Sequence, residues 1–149
     1  WSVVFLIYGM LGVGMAMHST GAATFLVNEF AMLTESLFSD PLKPYIMLAG
    51  LYLCTNVLTE FLSNNATIVL MAPVAIGIAE TLGVDPRPFI IAAAIASSAS
   101  FSTPIGYQTN TSVFGVGGYR FADFYKIGLP LNIIFFIVSM AIIPRIWSF

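Results

Sequence analysis

The chain has 149 residues, of which 58% are hydrophobic and only 8% are charged, and its formal net charge is −2. Soluble domains carry roughly a quarter charged residues, so this composition argues against a soluble globular protein and favours a chain that resides in lipid. The small net charge gives no basis for nucleic-acid binding. The one cysteine, Cys54, excludes an intrachain disulfide, and the single histidine, His18, cannot form a metal site by itself.

The first predicted elements occupy residues 3–36, as a membrane helix followed by an interfacial helix. Residues 3–17 form an apolar run with three glycines, which let another helix approach closely. Residues 22–36 carry Asn28, Glu29 and Glu35 among apolar side chains, which is typical of an interfacial or packed helix. Because the chain starts inside an apolar segment and not at a methionine, we expect it to be a fragment of a longer protein.

A helical hairpin is predicted over residues 45–82, between two proline-containing loops at 39–44 and 83–88. Its two apolar arms meet at a polar tip near 63–67, where the sequence is SNNAT. A simple turn in water between two full membrane spans is the alternative. Glu60 lies close to this tip, and it either titrates and couples protons or pairs with a group elsewhere in the fold.

A broken helix is predicted over residues 89–118. Helical throughout, residues 89–116 would extend about 42 Å, enough to cross a hydrocarbon core about 30 Å thick. Its middle, however, reads SFSTPIGYQTN at 100–110 and combines a proline, a glycine and many hydroxyl and amide groups. Exposed backbone at membrane depth requires protein or a watery cavity to satisfy it; a purely structural kink is the alternative.

The last helix is predicted over residues 129–147. It is expected to start at the Gly128–Pro130 stretch and to close at Pro144 and Arg145. The preceding residues 119–126 mix aromatic and charged side chains, which suits a membrane interface. The basic residues divide three against two between the two sides of the membrane, so charge does not decide the orientation.

Neither polar cluster, at 63–67 or at 102–110, contains a formal charge. Amide and hydroxyl oxygens together with freed carbonyls can replace part of the hydration shell of Na⁺, and amide and hydroxyl donors can face an anion. Helix N-termini expected at 66–67 and after 110 would add positive partial charge. Interrupted apolar segments that meet at mid-membrane are typical of a transporter binding site.

These motifs resemble those of a known family. The SNNAT tip followed by MAPVA at 71–75, and TPIGYQTN at 103–110 followed by GGYRF at 117–121, are similar to the divalent anion:sodium symporter family. Within the ion transporter superfamily they look like its sodium/sulfate symporter-like permease branch. The resemblance covers nearly the whole chain and assigns it to the C-terminal half of such a protein.

The resemblance implies an all-α polytopic membrane protein, in which this chain is one inverted-repeat half with a re-entrant helical hairpin and a broken transmembrane helix. It implies a homodimer in the cell (inner) membrane, an elevator-like motion, and a partner repeat N-terminal to this one. The implied activity is sodium-coupled uptake of a small divalent anion, with Na⁺ as the coupling ion and no organic cofactor.

The family's binding residues fall on positions at the hairpin tip and in the break. The resemblance places the substrate against Asn64, Asn65, Thr103 and Pro104. It places sodium against Thr59, Leu62, Asn64 and Ser102, with Leu62 and Ser102 acting through their backbone. Asn65 stands where the family usually has threonine, and Ile105 where it has a second proline, which favours sulfate or a similar oxyanion over a dicarboxylate.

Other functions remain open at the level of sequence. A cation/proton antiporter or an arsenite-type permease of the same superfamily is one alternative, and a channel or structural membrane subunit is another. An intramembrane enzyme would need a nucleophile with a base, or a set of metal ligands. His18 and Cys54 are isolated in the sequence, which disfavours that class.

We expect this segment expressed alone to transport nothing, because half of the implied binding site lies in the missing repeat. The measurement is uptake of radiolabelled sulfate into vesicles that carry only residues 1–149. Accumulation above that of empty vesicles would contradict the expectation.

Overall fold

A computed structural model describes residues 42–149 continuously and, before them, only isolated positions between residues 4 and 25. The structure therefore describes isolated residues of the helices predicted over 3–17 and 22–36, and these residues are helical; the rest of both predicted helices lies outside the described residues. The continuous part is all-helical. Its five helices are α1 Lys43–Thr59, α2 Asn64–Leu82, α3 Arg87–Ser98, α4 Gln108–Gly117 and α5 Phe121–Ile146.

Helices α1 and α2 pack against each other as a hairpin. A proline in the first turn of α1 starts the helix without loss of a needed donor. At its end, the backbone N–H groups of Phe61 and Leu62 both donate to the carbonyl of Leu58, at 3.1 and 2.9 Å, which turns the chain sharply.

The tip of the hairpin lies a few residues earlier than predicted. The connecting turn is Glu60–Ser63, whereas the sequence placed it near 63–67. Ser63 has extended backbone and its Oγ accepts the N–H of Ala66 at 3.3 Å, as a helix N-cap does. The remainder of the SNNAT motif therefore forms the first turn of α2.

Helix α3 is the centre of the bundle and packs against α1, α2 and α5. It follows a turn in which Gly83 closes α2 at a φ of 68° and the Asp85 carboxylate accepts the N–H of Arg87 at 2.9 Å. Its inward face carries Ala92, Ala93 and Ala96, each fully buried. These small side chains let the neighbouring backbones approach closely, which is how helices associate in lipid.

The helical structure is interrupted at residues 99–107, inside the stretch where the sequence predicts a break. Helix α4 then begins at Gln108, earlier than the N-terminus expected after 110, and ends at Gly118 with a φ of 65°. The residues of α4 are exposed or half-buried, and the helix is held by hydrogen bonds from its first turn and by a ring contact of Phe114 with Phe124 of α5.

The last helix is longer than predicted. It starts at Phe121 and not at 129, and it runs through Pro130 and Pro144 to Ile146. Its start is fixed by a capping arrangement in which the Arg120 N–H donates to Asp123 Oδ2 at 2.8 Å. Prolines are tolerated inside membrane helices because neighbouring groups can satisfy the freed carbonyls.

Two of the described helices, α2 and α5, are long and apolar enough to cross a membrane. By contrast, α3 has 12 residues and spans about 18 Å, less than a hydrocarbon core of about 30 Å. The buried core lies between α1, α2 and α3, and Ile143 of α5 also belongs to it. The outer face of α5 presents exposed apolar side chains, which suit contact with lipid or neighbouring protein: Ile127, Ile133, Ile134, Phe135, Ile137, Val138, Ile142 and Ile146.

Gly128 of α5 allows the break to lie directly on the helix backbone. A Cβ atom there would overlap the carbonyl group of Phe101 and approach Ser102 Cα to 2.6 Å. We expect Gly128→Ala to lower the unfolding free energy by about 1–3 kcal/mol, as overpacking does. The measurement is the thermal unfolding midpoint of the full-length protein in detergent.

Gly115→Ala is the matched control, because a Cβ atom at Gly115 meets nothing within 4 Å. It should leave the midpoint unchanged or raise it slightly, since alanine favours a helix. Equal midpoints for the two variants would show that Gly128 does not fix the break.

Candidate functional site

Glu60 joins the hairpin tip to the break. Its side chain is 7% exposed. Its Oε1 accepts the backbone N–H groups of Phe101 and Ser102, at 3.2 and 2.9 Å, and the side-chain amide of Asn132 at 2.8 Å. Three donors on one oxygen offset the loss of hydration that a buried carboxyl group suffers. The same bonds satisfy two backbone amides that the interrupted helix leaves free.

The hydroxyl groups of the break satisfy the carbonyls at the end of α1. Thr103 Oγ1 donates to the carbonyl of Glu60 at 2.7 Å, and Ser100 Oγ donates to the carbonyl of Thr59 at 3.1 Å. The Thr59 hydroxyl in turn donates to the Ser97 carbonyl at the end of α3. The last carbonyls of a helix lack intrahelical donors, so the tip and the break complete each other's hydrogen bonding.

The first turn of α4 fixes the shape of the break from the other side. Asn110 Nδ2 donates to the carbonyls of Ser100 and Thr103, at 2.9 and 3.2 Å. Thr111 Oγ1 donates to the Pro104 carbonyl at 2.7 Å. These bonds explain how a segment with no regular structure keeps one conformation.

A cavity of about 210 Å³ lies between the hairpin tip and the break. It brings together the two polar clusters that the sequence singles out. None of the lining residues that the structure describes carries a formal charge: Ser63, Asn64, Asn65, Ile105, Gly106, Tyr107, Gln108 and Thr111.

Two helix N-termini reach this cavity, at Asn64 of α2 and Gln108 of α4. Each starts a few residues before the position expected from the sequence. The first N–H groups of a helix lack intrahelical acceptors and carry positive partial charge. Together with the amide and hydroxyl side chains, they make a lining suited to an anion.

The predicted substrate residues divide into two groups. Asn64 and Asn65 line the cavity. Thr103 and Pro104 are buried and are not among the described lining residues. The Thr103 hydroxyl already donates to the Glu60 carbonyl and accepts the Gly106 N–H at 3.3 Å, so contact of these two residues with a substrate stays a prediction.

The predicted sodium residues all belong to the junction of tip and break. Thr59 and Ser102 are buried, Leu62 lies in the exposed turn, and Asn64 lines the cavity. Beside them, Glu60 Oε2 and Asn132 Oδ1 are buried and have no hydrogen-bond partner among the described residues. Oxygen atoms without donors are the kind of ligand that a hard cation takes, so the chemistry of this junction fits Na⁺.

Asn132 is not among the site residues predicted from the sequence. It lies in the apolar run of α5, is 7% exposed, and donates to both Glu60 Oε1 and Ser102 Oγ at 2.8 Å. A lone amide within a membrane helix is a signal of a functional or pairing role. The cavity also includes Tyr107 and Thr111, whose exposure could not be told from local sequence.

The chain matches the model of a known protein family. The model of the family described as citrate transporter matches residues 1–96 and, in a second overlapping match, residues 43–148. The chain belongs to the citrate transporter family. The description of this family is that of a membrane transport protein, and the two long apolar helices agree with a membrane setting.

Individual relatives of this citrate transporter family member agree with the resemblance to divalent anion:sodium symporters. An uncharacterized transporter of Synechocystis is 42% identical over 99% of this chain and 23% of its own length. An uncharacterized transporter of Escherichia coli is 38% identical over 100% of this chain and 24% of its length. Sodium/sulfate cotransporter 2 of Chlamydomonas reinhardtii is 32% identical over 93% of this chain and 15% of its length. The chain thus spans about a quarter or less of these relatives.

We expect Glu60→Ala to destabilise the protein by about 3 kcal/mol, because it leaves buried amides without an acceptor. The unfolding midpoint of the full-length protein in detergent measures this. Glu60→Gln keeps one acceptor oxygen and should lower the unfolding midpoint less than Glu60→Ala does.

Glu80→Ala is the matched control, since Glu80 is an exposed glutamate on the second arm of the same hairpin. A surface substitution of this kind changes stability by roughly 0.5 kcal/mol or less. If Glu60→Ala and Glu80→Ala lowered the midpoint equally, Glu60 would not be the tether of the break.

Proposed function

We propose that this chain forms part of a secondary transporter that couples the inward movement of sodium to the uptake of a divalent anion, with sulfate as the favoured substrate. The observation that carries the proposal is the uncharged cavity between the hairpin tip and the break, lined by side-chain amides and hydroxyls and by two helix N-termini. The relatives named sodium/sulfate cotransporters support the same substrate class.

For the anion, we propose contacts with Asn64 and Asn65 from the tip and with Tyr107 and Gln108 from the start of α4. These groups offer N–H and O–H donors without a fixed charge. Thr103 and Pro104, the other residues that the resemblance implies, belong to the buried part of the break and support its shape. Neutral donors and helix dipoles attract an oxyanion while leaving it free to dissociate, which transport requires.

For sodium, we propose ligation by Thr59, Leu62, Asn64 and Ser102, in the field of the nearby Glu60 carboxylate. The backbone carbonyls at the end of α1 and in the break supply part of this set, as unwound helix ends do in other transporters. Asn64 is common to the sodium and anion sets. That sharing gives a direct route for coupling, because each ligand orders the same tip.

We further propose that the tip and the break meet near the middle of the membrane, so that the hairpin is re-entrant. The shortness of α3 and the internal hydrogen bonding of the break support this depth, since lipid offers no partners to free backbone groups. In this proposal a second, inverted repeat outside this chain completes the cavity, and the protein works as a homodimer with an elevator-like motion.

The test is uptake of radiolabelled sulfate into proteoliposomes carrying the full-length protein, with and without an inward sodium gradient. We expect uptake that depends on the gradient and that falls about tenfold or more in Asn64→Ala, because the variant removes a donor to a charged ligand. Thr81→Ala, at the far end of α2, should retain uptake, since its exposed hydroxyl donates to the Gly77 carbonyl within the same helix.

Further arms of the same assay use succinate and arsenite. Sodium-dependent uptake of succinate in place of sulfate would support the proposed sodium symport but would show that the substrate is a dicarboxylate. Arsenite flux without sodium dependence would favour the arsenite-type permease, and flux of sulfate without coupling to any gradient would favour a channel.

A further inference from the structure

The side chain of Asn132 bridges the two halves of the site. It projects from α5, a helix whose exposed side chains are mostly apolar, yet it is itself 7% exposed. Its single amide nitrogen donates to Glu60 Oε1 at the hairpin tip and to Ser102 Oγ in the break, both at 2.8 Å. Both amide hydrogens are therefore committed, one to each segment.

The backbone of α5 lets residues of the break come close to Asn132. Gly128 lies one helical turn before Asn132, and a Cβ atom at Gly128 would overlap the carbonyl group of Phe101. The missing side chain lets residues 101–102 rest on α5 at backbone distance. The Asn132 amide then meets Ser102 and Glu60 in one place, so α5 sets where the tip and the break stand relative to each other.

The wall of the anion cavity is held by other bonds. Thr111 and Asn110 of α4 fasten the carbonyls of Pro104, Ser100 and Thr103. Asn132 itself is not among the residues described as lining the cavity. Its influence should therefore fall on the junction around Thr59, Leu62 and Ser102 more than on the anion contacts.

We propose that Asn132 is a positioning residue for sodium binding: its amide holds Glu60 and Ser102 at the separation that the cation needs. The inference rests on the proposed sodium coupling. A buried amide with only a packing role would alter stability but would leave the affinity for sodium unchanged, and this difference separates the two roles.

The test measures the thermal unfolding midpoint of the full-length protein in detergent across a series of sodium chloride concentrations, with choline chloride added to keep the ionic strength constant. A cation that binds the native state raises the midpoint by mass action. We expect Asn132→Leu, which matches the volume of the side chain without its donors, to need about tenfold more sodium than the unsubstituted protein for the same rise of the midpoint above its own sodium-free value. Asn132→Ala should shift the requirement in the same direction.

Ser139→Ala is the control, because Ser139 is a buried hydroxyl residue of the same helix that lies about two turns beyond Asn132. It should keep the sodium requirement of the unsubstituted protein within about twofold, as an uncoupled site does. In proteoliposomes, the sulfate KM of Asn132→Leu at saturating sodium should likewise stay within about twofold.

Three results would overturn the inference. A lower midpoint with an unchanged sodium requirement in both Asn132 variants would reduce the residue to a packing role. A shift in the sulfate KM as large as the shift in the sodium requirement would show that Asn132 affects the whole site and not sodium binding in particular. Absence of any sodium effect on the unsubstituted protein would remove this inference and the sodium coupling together, while sulfate uptake would still report separately on the anion.

Discussion

The hydrogen bonds of the Glu60 carboxyl group are the interaction on which the described structure depends. An interrupted helix leaves backbone amides without partners, and in lipid each such group costs several kcal/mol. Glu60 supplies the acceptor from the end of another helix, 41 and 42 residues earlier in the chain. The carboxyl group is itself tolerable in a buried position because those same amides donate to it. Each segment therefore satisfies backbone groups that the other leaves without partners.

This mutual dependence separates structural from recognition groups. One carboxyl oxygen of Glu60 and the hydroxyls of Ser100 and Thr103 are hydrogen-bonded within the junction. The groups left facing the cavity are neutral amides, hydroxyls and helix N-termini. A neutral lining with donors is the kind of surface on which the proposed binding of an anion relies.

Helix α5 combines two environments along its length. Its outward isoleucine and phenylalanine side chains are exposed in this chain and suit lipid or neighbouring protein. Its inner face has no side chain at Gly128 and a polar side chain at Asn132. The helix that looks most like a plain membrane anchor therefore determines where the break lies.

The sequence by itself determined the all-helical membrane character, the hairpin, the region of the break and the family. Each of these has a local signal: composition, paired prolines, or a polar cluster within an apolar run. Only the tertiary structure decided that Glu60 pairs with the break, that Asn132 joins them, and that Asn64 and Asn65 face the cavity while Thr103 and Pro104 are buried. The structure also shows that α5 starts at Phe121 and not at residue 129, as the sequence predicted. Local patterns record that a polar group in lipid needs a partner, but the partner is chosen by packing between segments 41 to 72 residues apart.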